Sequence, residues 1–257
     1  PGAAGAHRLA MARLAAADNP AFEVDPAEVE AAQASYTILS LERLRAELGP
    51  RRPLVLLLGG SYCAVYRRQR ELSLMVTVYI AYFLLDTQTD FYRDYGKVRE
   101  DAAVVFYLVC LLLPIMYSLY AAWEERTHLA QDIMARLAVL LVVGSVALGL
   151  EQSYPVEIQN WLADIRWPSL HGSWMSLIQL SYLVFIIGFG VLIWQYLNKP
   201  RPLHAAQLVG LLALFWALPK TFILPFTLNI MCSQVMLMIA AGVAHEAYQM
   251  AFRDELT

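Results

Sequence analysis

The sequence predicts an all-α, polytopic membrane bundle of six or seven transmembrane helices, preceded by an amphipathic surface helix. Three observations predict it. Of 257 residues, 59% are hydrophobic and only 16% charged, whereas soluble domains carry about a quarter charged residues. Five apolar runs approach the ~20 residues that cross a bilayer as a helix: 72–92, 102–123, 133–150, 174–197 and 221–244. Two shorter runs, 53–66 and 203–218, read as tilted, buried or re-entrant segments. The strict alternation of a transmembrane barrel is absent from these runs.

This division gives three parts: an extramembrane segment 1–50, a membrane domain 51–246 and a short polar tail 247–257. The opening PGAAGAHRLAMARLAAADNP is Ala-rich, with Arg8 and Arg13 and no acid before Asp18. It resembles the end of an organellar presequence or the stretch just beyond one, with a short helix over 7–17. A firmer helix is predicted over 25–49. Asp25 suits its cap, Pro26 its first turn and Glu28 a capping box, and Gly49-Pro50 ends it. Its apolar residues drift around the helix, which suits the membrane surface or a partner protein.

Basic clusters Arg51-Arg52 and RRQRE at 67–71 bracket the first short run. The run 72–92 ends in DTQTDFY, and the run 102–123 ends at Trp123. WEERTHLAQD at 123–132 forms a polar turn, and the next run closes at Glu151. LEQSYPVEIQNWLADIRWPSLHGSW comes next, with a short interfacial helix expected around 156–166. Trp123, Trp161, Trp167, Trp174 and Trp194 read as interfacial anchors, since indole rings settle at the headgroup level. Pro219-Lys220 separates the last two runs. Over seven alternating crossings, nine Lys or Arg fall on one side and eight on the other, which leaves orientation open.

Net charge is −3 and no Lys/Arg run is both dense and long enough for a phosphate-tracking surface, which argues against a nucleic-acid partner. Cys63, Cys110 and Cys232 lie in apolar runs without a CxxC and read as small buried hydrophobes. HExxH, GxSxG, Walker and dinucleotide motifs are missing, so no metal and no catalytic group is assigned. The expected bound group is at most a phospholipid.

Charges within a span are costly and each needs a reason. Asp86 and Asp90 lie four residues apart on one helix face beside Gln88. They read as a proton, cation or head-group site, or as acids of a helix leaving the membrane. Glu151, Ser153 and His171 are further polar candidates near run ends. Asn229, with Ser233 on its face, and Gln234 are expected to hydrogen-bond neighbouring helices.

Residues LEQSYPVEIQNWL carry Glu151-x-Ser153-x-Pro155 followed by Gln159-x-Trp161. This resembles the acid-x-Ser-x-Pro segment of TLC-domain proteins, the TRAM, LAG1 and CLN8 group. YIAYFLLD at 79–86 is similar to the earlier helix of that family that ends in aspartate, and the order matches. The resemblance implies a helical barrel with a lipid-accommodating interior over about 53–245. Active members carry paired histidines on the next helix. Phe106 and Tyr107 stand near that place here, and no histidine lies between His7 and His128. A neutral histidine can act as a general base near neutral pH and a phenylalanine cannot, so the resemblance implies a non-catalytic relative.

The functional expectation is a non-catalytic, lipid-associated accessory subunit of a larger organellar membrane complex. Its partners would be membrane lipids and other membrane-protein subunits. The mitochondrial inner membrane is the first location and the endoplasmic reticulum the alternative. The competing readings are a TLC-type acyltransferase using Asp86, Glu151 or His171, and a transporter or membrane sensor module.

Overall fold

The computed structural model describes residues 5–16, 68–95, 101–124, 129–168, 176–223 and 227–253, with positions 56, 59, 60, 63 and 172. The chain divides into two compact units, Pro1–Leu54 and Val55–Thr257. The first contains helix α1, Gly5–Ala16. The helix expected over 25–49 lies outside the described residues.

The second unit contains α2 Gln69–Tyr95, α3 Ala102–Ala122, α4 Leu129–Ser153, α5 Pro155–Ala163, α6 Gln179–Asn198, α7 Pro202–Ala217 and α8 Thr227–Arg253. Among the described residues, six of these helices are long and apolar enough to cross a membrane. At 1.5 Å per residue, α3 is about 31 Å long, the thickness of a hydrocarbon core. The run 203–218 forms a complete candidate span: α7 continues as a 3-10 turn over Leu218–Lys220.

Prolines set several boundaries. Pro155 pushes Tyr154 out of helical geometry, to φ −139°, and becomes the first residue of α5. The predicted interfacial helix at 156–166 is therefore Pro155–Ala163. Pro202 opens α7 in the same way. Pro219 closes it.

Helices α2, α3, α6, α7 and α8 pack in a closed circuit, each against the next and α8 back onto α2. Their inward residues recur at helical spacing, as in Leu74, Val78 and Leu85 of α2, and Val235, Ile239 and Val243 of α8. Lipid tails are as apolar as these side chains, so close fit supplies the attraction between spans. Glycines allow that fit. A Cβ on Gly188 would lie 2.5 Å from Ser118 Oγ, and one on Gly210 2.5 Å from Tyr117 Oη. Gly59, helical and buried, sits against Met75 and Ala240, which places that part of the short run 53–66 beside α2 and α8.

Helix α4 stands outside the circuit and is the least buried of the six spans. Met134, Leu141, Val142, Val146 and Leu148 point outward.

Contacts fix which helix ends share a face. Arg68 pairs with Glu246, Lys199 lies near Glu124, and Arg136 reaches Trp123. Arg68, Arg70, Arg136, Lys199 and Arg201 thus belong to one face. Among the described residues with placed side chains, Arg166 and Lys220 are the cations of the other. The basic residues outside the described set leave the orientation of that arginine-rich face open. A cysteine at Lys199 and one at Gln152 should react with an impermeant maleimide in vesicles of opposite orientation. Labelling of both in the same sealed vesicles would refute the arrangement of helix ends.

Candidate functional site

The polar residues of the membrane domain form three sets. The first is near the end of α2. Tyr82 Oη donates to Asp86 Oδ2 at 3.0 Å, and Thr89 Oγ1 donates to the Asp86 carbonyl at 2.9 Å. Asp86 and Asp90 are half-buried on one face. Gln88 points the other way into the protein, and its buried Oε1 has no hydrogen-bond partner among the described residues.

The second set borders an apolar groove of about 250 Å³ between α2, α3 and α4. Leu84, Val109, Leu112, Met116 and Val143 line it, with Thr77 and Glu151 as polar members. Gly144 widens it, since a Cβ there would meet nothing within 4 Å. This cleft has the shape and polarity of an acyl-chain surface. It offers no described donor set for acid–base work beyond Glu151.

The third set is the arginine-rich face, where four ion pairs occur at the helix ends among the described residues, the exposed Lys199–Glu124 contact included. Arg136 Nε donates to Asp132 Oδ2 at 2.9 Å, and these side chains are 2% and 1% exposed. Arg136 Nη2 also donates to the carbonyls of Trp123 and Glu124 at 3.1 and 3.4 Å. These carbonyls lie just past the last turn of α3, where a helix leaves acceptors unpaired and a cation is favourable. The guanidinium lies 5.2 Å from the Trp123 ring centroid, and Tyr120 Oη donates to the Arg136 carbonyl at 2.8 Å. One arginine therefore joins the end of α3 to the start of α4. Arg70 donates through Nε and Nη2 to Glu71 Oε1, a fully buried carboxylate, at 2.9 and 2.8 Å. Arg68 reaches Glu246 of α8 at 2.9 Å.

Between these pairs lies a recess of about 470 Å³. Arg68, Arg70, Lys199 and Arg201 contribute cations, and Glu124 the single carboxylate among its lining residues. His204 and Gln195 form its inner wall. His204 Nδ1 lies 2.8 Å from the Lys199 carbonyl and therefore carries the proton. Gln195 Nε2 donates to the Ala121 carbonyl at 2.9 Å and approaches His204 Nε2 at 3.4 Å.

The sequence-predicted residues are not gathered into one site. Asp86 and Asp90 stay together, and Glu151 borders the apolar groove. Ser153 is exposed. Asn229 and Gln234 face outward, and the hydrogen bond described for Asn229 comes from Ser233 of its own helix at 3.4 Å, not from a neighbouring helix. His171 and Trp174 lie outside the described residues. Trp161, Trp167 and Trp194 are exposed and Trp123 is half-buried. Phe106 packs edge-on against Phe222 at 5.4 Å. Sequence reasoning passed over the Asp132–Arg136 pair and the recess. The signal for the pair was an acid and an arginine at i and i+4 at the start of a span.

Among the described residues no group of three or more His, Cys, Asp or Glu is placed to hold a metal ion. No family model matches the chain, and no solved structure matches it. Partial likeness exists to proteins described as probable nicotinate-nucleotide adenylyltransferases. That of Dechloromonas aromatica is 46% identical over 78 residues, covering 29% of this chain and 36% of the relative. That of Marinobacter nauticus is 47% identical over 70 residues, covering 27% and 32%. That of Aeromonas salmonicida is 56% identical over 52 residues, covering 20% and 24%. The chain spans about a third of the length of the first two and a quarter of the third, and the whole is an integral membrane protein of helical construction similar to them over a short segment.

Proposed function

We propose that the chain is a non-catalytic, lipid-associated accessory subunit of a larger membrane complex. The observation that carries this reading is α4. It lies outside the helical circuit, presents a continuous apolar face and is flanked by the groove bordered by Glu151. An outlying span of this kind suits a lipid on its groove side and a neighbouring subunit on its outer side. The acid-free, arginine-bearing opening favours the mitochondrial inner membrane over the endoplasmic reticulum. The bacterial relatives make a bacterial plasma membrane the comparison to include.

A second reading is favoured by the partial likeness to nicotinate-nucleotide adenylyltransferases: a membrane-tethered segment that handles a nicotinate nucleotide. One preparation separates the two. Native membranes are solubilised in mild detergent, the particle carrying the chain is sized, and adenylyl transfer to nicotinate nucleotide is assayed on it. The subunit reading expects stable co-migration with a larger particle and no transfer. A lone chain that performs the transfer would overturn it in favour of the second reading.

A further inference from the structure

We propose that the recess on the arginine-rich face binds the head group of an anionic phosphodiester lipid from the surrounding leaflet. The proposal rests on the lipid-associated reading above and names the lipid class and its site. Charge is the first argument. Glu71 and Glu246 pair with Arg70 and Arg68. Lys199 and Arg201 remain, opposed in the lining by Glu124 alone. Lys199 and Glu124 are 3.7 Å apart and both strongly exposed, so water and salt screen that contact. The local excess is one positive charge, the complement of one phosphodiester. A zwitterionic head group would bring its own cation against that excess.

Shape is the second argument, and it selects a lipid over free phosphate. The wall runs along α6 from Lys199 back to Val191, about 12 Å along the axis at 1.5 Å per residue. It passes from cations, through Gln195 and Asn198, to Trp194 and Val191. That order matches the polar head, ester region and first methylenes of a glycerolipid. Outside the wall, Ile193 and Leu197 are exposed and offer an apolar bed for the chains. Trp194 and Tyr196 mark the level as interfacial. At the start of α7, Pro202 fixes the helix end and so holds Arg201 at the mouth of the recess. Basic pockets between spans are a recognised mode of head-group binding.

The test is native mass spectrometry of the purified full chain with added phosphatidylglycerol, phosphatidylcholine or water-soluble glycerol phosphate. Phosphatidylglycerol should be retained at one site, phosphatidylcholine at least about tenfold less, and glycerol phosphate should not displace the lipid. The double variant Lys199→Gln/Arg201→Gln changes only exposed side chains. It should lose about tenfold or more in retention, from two phosphate contacts, while its melting temperature without lipid stays unchanged. Equal retention of both lipids, or undiminished retention by the variant, would overturn the site. Displacement by glycerol phosphate would make it a free phosphate-ester site and overturn the lipid assignment. A lone chain that retains the lipid overturns only the subunit reading, and a complexed chain that ignores it overturns only this one.

Discussion

Asp132→Ala is expected to destabilise the membrane domain by about 3–5 kcal/mol, because it strands a buried guanidinium. Arg136 is 2% exposed and Asp132 is its one ion-pair partner among the described residues. Its other contacts, two carbonyls and the Trp123 ring, orient the charge without neutralising it. The same arginine ties α4 to α3, so its loss also loosens the least buried span. Arg136→Ala should cost a similar amount by exposing the acceptors of α3 and leaving Asp132 alone. The double change Asp132→Leu/Arg136→Leu should recover most of the loss, since a paired charge replaced by apolar volume is often neutral. Unfolding midpoints in detergent measure all three. An Asp132→Ala protein within about 0.5 kcal/mol of the original would mean that water reaches the pair.

The second large effect is expected at Gly210. A Cβ there would lie 2.5 Å from Tyr117 Oη and 3.2 Å from Val235 Cγ1. Tyr117 is fully buried and donates to the Gln207 carbonyl at 3.0 Å. Its ring cannot yield without giving up that bond, so Gly210→Ala should cost about 1–3 kcal/mol and Gly210→Val more. Tyr117→Phe removes the clashing oxygen and should cost about 1 kcal/mol alone. In the Gly210→Ala background the same change should restore stability. This sign reversal in a double-mutant cycle is the decisive measurement. Additive losses would show that the two residues are not in contact.

The spans were legible because composition and length suffice for a helix in lipid. The runs beginning at 72, 102 and 133 became α2, α3 and α4, and Pro155 and Pro219 mark breaks in the sequence itself. The run 203–218 looked short because Pro202 and Pro219-Lys220 bound it, yet α7 begins at Pro202 and continues as a 3-10 turn to Lys220. The polar layer was harder to see. Asp132 stands one residue outside an apolar run and reads as a loop acid. In the structure it is buried and paired with Arg136, which also reaches the end of α3. The recess draws on positions 68–70, 122–124 and 191–204, each an ordinary helix end until tertiary structure joins them. Asn229 failed in the opposite sense: polarity in a span suggested an interior partner, and helical phase turned it outward.

The three arginine ion pairs described on this face also bear on biogenesis. Arg70 and Glu71 are neighbours in α2, and Asp132 and Arg136 are one turn apart in α4. Each helix therefore carries its own counter-ion as it leaves the translocation machinery, which lowers the cost of partitioning before any neighbour has arrived. Arg68 and Glu246 differ: one precedes the first described span and the other belongs to the last. That pair can close only when synthesis of the domain is nearly complete, so it serves as the latch of the finished bundle and not as an aid to insertion.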